Sequence, residues 1–188
     1  MCGFVGYVSS QHAAHAASAI LPQLRDTLEH RGPDASGLWT TPDRRVGLAH
    51  RRLSIIDLTS AGHQPMRLET HGLTLVLNGE IYNHPELRKR CIQRGFNSWK
   101  GHSDTEVLLV HLALFGLEAT LQQLRGMFAF ALHDQHQGTL VLARDRLGEK
   151  PLFIRTTPTG FWFASELKAP MNLPGCDARI DAKALGAY

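Results

Sequence analysis

Cys2 has the most chemistry to offer of any residue in this chain, because of where it stands. A second residue as small as Cys lets methionine aminopeptidase remove Met1, and no leader is expected ahead of it. Cys2 would then carry a free α-amine beside a free thiol. That places a nucleophile and its own base on one residue, the Cys counterpart of the Thr–N-terminal-amine arrangement. An α-amine titrates at about 7.7–8.0 and a Cys thiol at about 8.5, so both exchange protons near neutral pH. Alone, Cys2 favours chance placement over catalysis, and the rest of the chain has to decide.

The other reactive side chains form no metal site. Cys2, Cys91 and Cys176 are odd in number and far apart, which is neither a disulfide framework nor a zinc-ligand spacing. Among 11 histidines the close pairs are His12/His15 and His133/His136, and neither has a third ligand placed by sequence. No metal is expected. The formal charge is only +3, and clusters such as Arg44-Arg45 and Arg88-Lys89-Arg90 are short. Without a nucleic-acid motif they read as solvated faces, so no nucleic acid is expected as a partner. No apolar run reaches the ~18 residues that span a bilayer. No secretory signal is expected either. The expected setting is a reducing cytoplasm, with no membrane partner.

These residues must be held by a core, and 188 residues at 43% hydrophobic suffice for one domain. Phe4–Val8 reads as a buried first strand. A helix is expected with Pro22 in its first turn and Leu21, Leu24 and Leu28 on its apolar face, ending before Arg31-Gly32-Pro33-Asp34. Residues 45–50 and 73–77 read as strands, the second followed by Asn78-Gly79 as a turn signal. Pro85 opens a helix to about Arg94. Ser103-Asp104-Thr105-Glu106 has capping-box spacing ahead of an apolar run to Phe115. Segments 127–132, 139–143, 152–155 and 161–164 read as an antiparallel meander. Blocks of strands with few helices favour layered α+β.

The order of motifs resembles one family closely. Cys2-Gly3-Phe4-Val5-Gly6, His30-Arg31-Gly32-Pro33-Asp34, His50 through Asp57, Gln64-Pro65-Met66 and Asn78 through Asn83 come first. Gly101 through Glu106, Gly126 through Ala131, Ala143 through Leu152 and Ala164 through Ala169 follow. Together they are similar to the N-terminal glutaminase domain of glutamine-hydrolysing asparagine synthetases. These are class II glutamine amidotransferases of the N-terminal-nucleophile (Ntn) hydrolase group. The resemblance implies a four-layer αββα sandwich of two antiparallel sheets. It also implies that L-glutamine is hydrolysed to L-glutamate and ammonia through a Cys2 glutamyl thioester.

Within that resemblance each residue has a chemical rationale. Cys2 is nucleophile and, through its α-amine, base. The Asn78 side-chain amide and the Gly79 N–H suit an oxyanion hole, since neither titrates and Gly allows close approach. Arg52 suits the glutamine α-carboxylate, and Glu80 and Asp104 its ammonium. Leu53, Ser54, Ile55 and Ile56 are implied to complete the pocket wall. Strand alternation puts Arg51 and Arg52 on opposite faces, and only the family pattern selects Arg52.

The resemblance also implies what is missing. Full-length relatives carry a C-terminal synthetase domain that activates aspartate and receives the ammonia. Here residues 1–170 are expected to form the glutaminase domain, and 171–188 to begin a linker toward that absent domain. ATP and Mg are expected only for the synthetase domain, and no cofactor for the glutaminase. The synthetase domain could act in cis or in trans, and a homodimer is compatible with the sequence. The acceptor could differ from aspartate. Retention of Met1 would leave a non-catalytic docking domain.

Overall fold

The computed structural model describes residues 2–177, 179, 185 and 186. Two antiparallel sheets lie face to face between helices. The first sheet has the order β2-β3-β1-β9-β8, formed by β1 (Gly3–Ser9), β2 (Ala35–Thr40), β3 (Val46–Arg52), β8 (Phe153–Thr157) and β9 (Gly160–Ala164). The second has the order β4-β5-β6-β7, formed by β4 (Met66–Leu68), β5 (Leu73–Ile81), β6 (Gly126–Asp134) and β7 (Thr139–Arg144).

Side-chain alternation along the strands builds the layers. On β1, Val5 and Tyr7 face outward onto helix α1 (Ala14–Asp26), meeting Ala17, Leu21 and Leu24. Phe4 faces inward and joins Leu48, Val76, Ala129, Ala131 and Phe163 in the layer between the sheets. On β5, Leu75, Leu77 and Ile81 turn outward to helix α3 (Asp104–Phe115). Helices α2 (His84–Gln93) and α4 (Leu117–Gln123) flank α3, so α3 is buried from Asp104 to Leu112. A short α5 (Lys168–Met171) covers β9, and Leu173 packs beside it. The expected four-layer αββα sandwich is the fold observed.

Several local expectations are corrected. Pro22 does not open α1. It sits inside a helix that begins at Ala14, where the Ala-rich stretch favours helix. Asn78-Gly79 is not a turn. β5 runs through it to Ile81, paired with β6 along its whole length, and Gly79 has φ +150°. The four late strands are not one meander. β6 and β7 form a hairpin in one sheet, and β8 and β9 a hairpin in the other. The capping box is half realised. Ser103 Oγ accepts from Glu106 N–H at 3.2 Å, while the Glu106 carboxylate takes the N–H groups of Lys100 and Gly101 at 2.7 and 2.9 Å. Strands β2 and β4 and helix α4 carried no signal strong enough to be read. Much of the expected linker, residues 178, 180–184 and 187–188, lies outside the described residues.

Candidate active site

Cys2 precedes β1 at the end of the first sheet, beside the residues just after β3. Its sulfur accepts from Leu53 N–H at 3.4 Å and lies 3.6 Å from the Leu53 carbonyl. Burial pushes the thiol pKa up, against the Leu53 N–H and the Arg52 charge, which pull it down. Burial thus favours the neutral thiol. Met1, whose removal would expose the α-amine, lies outside the described residues.

Two distant segments fix this residue, and neither had a role assigned from sequence. Arg31 Nε donates to the Cys2 carbonyl at 2.9 Å, and its Nη1 to Glu166 at 2.7 Å. His30 Nε2 shares the same Glu166 oxygen at 3.0 Å. Burial opposes ionisation of Glu166, but the Arg31 and His30 hydrogen bonds outweigh it and hold its pKa below the usual carboxylate range. Ser165 adds a reciprocal pair, accepting from Phe4 N–H at 3.0 Å and donating its own N–H to the Phe4 carbonyl at 2.9 Å. The signal was a matched motif at each place. Nothing local pairs residues 135 positions apart.

Alternation on β3 separates the two arginines. Arg51 turns to the α1 side and pairs with Asp26 at 3.5 Å and Glu29 at 2.7 Å. Arg52 turns to the cavity. Its Nη1 donates to the Thr59 carbonyl at 2.8 Å and its Nη2 to the Asp57 carbonyl. A guanidinium has five N–H donors, so these bonds anchor the fork without exhausting it.

The open edge of β5 supplies the facing wall. β4 stops pairing at Met66 opposite Leu75, so residues beyond Leu75 lack a strand neighbour on that side. Leu77 N–H is taken by Gln64 Oε1 at 2.6 Å, and Ile81 N–H by Asp104 Oδ2 at 2.9 Å. Gly79 stands midway between them, so its N–H points the same way. A Cβ at Gly79 would stand 2.1 Å from the Met127 carbonyl oxygen, so only glycine fits. Asn78 alternates to the inner face. It is 0% exposed, and among the described residues neither its amide nitrogen nor its oxygen has a partner. A buried amide without partners is costly, which marks a group held for a ligand.

One cavity brings together Cys2, Arg52, Leu53, Ile55, Ile56, Asn78, Gly79, Glu80 and Asp104. Ser54 is the exception among the expected residues. Its N–H goes to Asp34 at 2.7 Å, and it lines a neighbouring depression instead. Burial raises the Asp104 pKa against the N–H bonds from Ile81 and Thr105, and Glu80 raises it further. A cation arriving here would relieve both carboxylates. Gln64, Thr105, Met127 and Lys150 also line the cavity. No cluster of His, Cys, Asp or Glu among the described residues could hold a metal ion.

A thiol, a buried unpartnered amide, a guanidinium and two carboxylates in one cavity suit a zwitterionic amino acid with a carbonyl on its side chain. A family model for glutamine amidotransferase domains matches residues 1–188. The chain belongs to the glutamine amidotransferase domain family. This amidotransferase domain is 38% identical over 187 residues to asparagine synthetase [glutamine-hydrolyzing] 3 of Bacillus subtilis (strain 168), covering 98% of this chain and 30% of that protein. It is 40% identical over 190 residues to asparagine synthetase [glutamine-hydrolyzing] 1 of the same organism, covering 100% and 29%. The amidotransferase domain thus spans about three tenths of these relatives. A further relative, Amidase chry2 of Gibberella zeae, is 36% identical over 180 residues, covering 90% and 26%. Glutamine phosphoribosylpyrophosphate amidotransferase from B. subtilis superposes with a TM-score of 0.70 at 22% identity, covering 90% of this chain and 42% of that one. At that identity the likeness concerns the fold.

Proposed function

We propose that this domain hydrolyses L-glutamine to L-glutamate and ammonia through a glutamyl thioester on Cys2. The observation that carries the reading is the unpartnered Asn78 amide, buried in the same cavity as the Cys2 sulfur. The Cys2 α-amine takes the thiol proton as sulfur bonds to the side-chain carbonyl carbon. The C=O electron pair moves onto oxygen, where Asn78 and Gly79 N–H groups receive it. The C–N bond then breaks, its electrons go to nitrogen, and the ammonium form of the α-amine returns the proton, releasing ammonia. Water, deprotonated by the same amine, adds to the thioester carbonyl; the C–S bond then breaks with its electrons going to sulfur, the ammonium returns the proton to the thiolate, and glutamate leaves. Arg52 holds the substrate α-carboxylate, and Glu80 and Asp104 its ammonium.

The ammonia is destined for an ATP-dependent synthetase domain that amidates aspartate, in the cytoplasm. The names of the Bacillus relatives support this acceptor, and the name of the Gibberella relative is why the acceptor needs its own test. Glutamine labelled with 15N in its amide, supplied with the synthetase domain, aspartate and ATP, is expected to yield 15N-asparagine; label reaching another carboxylate would redirect the assignment. The hydrolysis is tested on protein whose mass shows that Met1 is gone. Glutamate release without ATP supports it, and none from correctly processed protein contradicts it.

A further inference from the structure

Both polar backbone atoms of Leu77, the residue before the two oxyanion donors, are held by side chains from outside its sheet. Gln64 Oε1 accepts from Leu77 N–H at 2.6 Å. His50, fully buried between the sheets, meets the Leu77 carbonyl through Nε2 at 3.1 Å. A carbonyl only accepts, so His50 Nε2 carries the proton. Burial favours that neutral ring and pushes its pKa down to about 4. Its Nδ1 has no partner among the described residues, so the Leu77 contact is the one hydrogen bond seen for this ring. Gln64 is also buried, and its amide donates to Thr105 Oγ1 at 3.2 Å, next to Asp104.

The edge of β5 explains why such a clamp is needed. Strand pairing with β4 ends at Leu75, yet Asn78 and Gly79 must be held rigidly beyond it. Oxyanion donors work by preorganisation, and displacement of about 1 Å can cost about 100-fold in rate. A third strand neighbour would fix the backbone but would also occupy Gly79 N–H. Side chains at Leu77 on one flank and Asp104 at Ile81 on the other fix the strand and leave the position between them open.

We infer that Gln64 and His50 are positioning residues for the oxyanion hole, acting through Leu77 on Asn78 and Gly79. The inference rests on the proposed hydrolysis, but its test does not depend on it alone. Gln64→Met removes the acceptor at similar length, and His50→Phe removes the donor while keeping a ring. Each is expected to lower kcat for glutamine by about 10- to 100-fold while KM changes less than about threefold. Gln64→Glu, which keeps the acceptor, and His50→Gln, which keeps a donor, are expected to recover most of the loss. The Gln64→Met penalty should shrink in an Asn78→Ala background, because one of the groups it positions is gone. Equal losses in the rescuing variants, or a rise in KM matching the fall in kcat, would overturn the assignment. Amide hydrogen exchange reads the same clamp without turnover. Exchange at Leu77 is expected to quicken in Gln64→Met while the α1 amides stay protected. Unchanged exchange at Leu77 would overturn the inference even if wild-type protein proved inactive on glutamine.

Discussion

Asn78 and Asp104 line the same cavity, and the proposed hydrolysis gives them different parts of the reaction. In it, Asn78 donates to charge that exists only in the tetrahedral state. Asn78→Ala should therefore lower kcat by about 100- to 1000-fold with little change in KM. In the same proposal Asp104 meets an ammonium already present in the ground state. Asp104→Asn should raise KM at least as strongly as it lowers kcat, and the penalty should shrink for glutamine analogues lacking the α-amine. Steady-state kinetics of both variants checks the pair. If Asn78→Ala moved only KM, its amide would shape the pocket rather than stabilise the oxyanion. Some of this was legible in residue types alone. An amide and a guanidinium suit their tasks wherever they sit. Residue type and alternation could not choose between Arg51 and Arg52; the family pattern chose Arg52, which the structure places at the cavity, while Arg51 goes to Asp26 and Glu29.

At the scale of elements, β5 shows how a local signal misleads. Asn-Gly favours a tight hairpin because both residues tolerate positive φ. Here that tolerance serves a strand interior, where Gly79 keeps φ +150° and lies close against Met127. The residue paired with Gly79 is Phe128 on β6, far beyond any short window, so no local pattern could distinguish the two uses. The same limit hid the Arg31–Glu166 contact behind Cys2 and split the late strands between two sheets. Pattern within a segment was readable, as the Leu21 and Leu24 face of α1 was. Pairing between segments was not. Gly79→Ala is expected to cost about 1–3 kcal/mol of stability from backbone strain alone, with the Met127 clash added. It should also abolish most turnover. Chemical denaturation beside kinetics checks this, and a stable, active Gly79→Ala variant would mean that the strand can shift at no cost to the hole.

For the whole molecule, the walls of the cavity are also structural joints. Asp57 ties the chain after β3 to the start of α3. It accepts from the Thr59 hydroxyl at 2.6 Å, Thr59 N–H at 2.8 Å and His102 N–H at 2.9 Å. The Thr59 hydroxyl and the His102 N–H pull its pKa down to about 2. A carboxyl depressed on folding stabilises above its unfolded pKa of about 3.9, and that contribution fades as pH falls toward the folded value. Its size is about 2 kcal/mol. Asp57→Asn should thus be less stable at pH 7, with the gap to wild type narrowing by about that amount between about pH 5 and 2. Urea denaturation across this range checks it, and a gap that widened in acid would reverse the sign. The four layers bring β1, β3, β5 and α3 to one cavity, so the chemistry at Cys2 depends on the sandwich closing as a unit. Intact-mass analysis of protein mixed with glutamine and quenched in acid tests that chemistry most directly. The expected result is one glutamyl group on the sulfur of an N-terminal Cys2, absent in Cys2→Ala protein; glutamate formed without that adduct, or formed by Cys2→Ala protein, would contradict it.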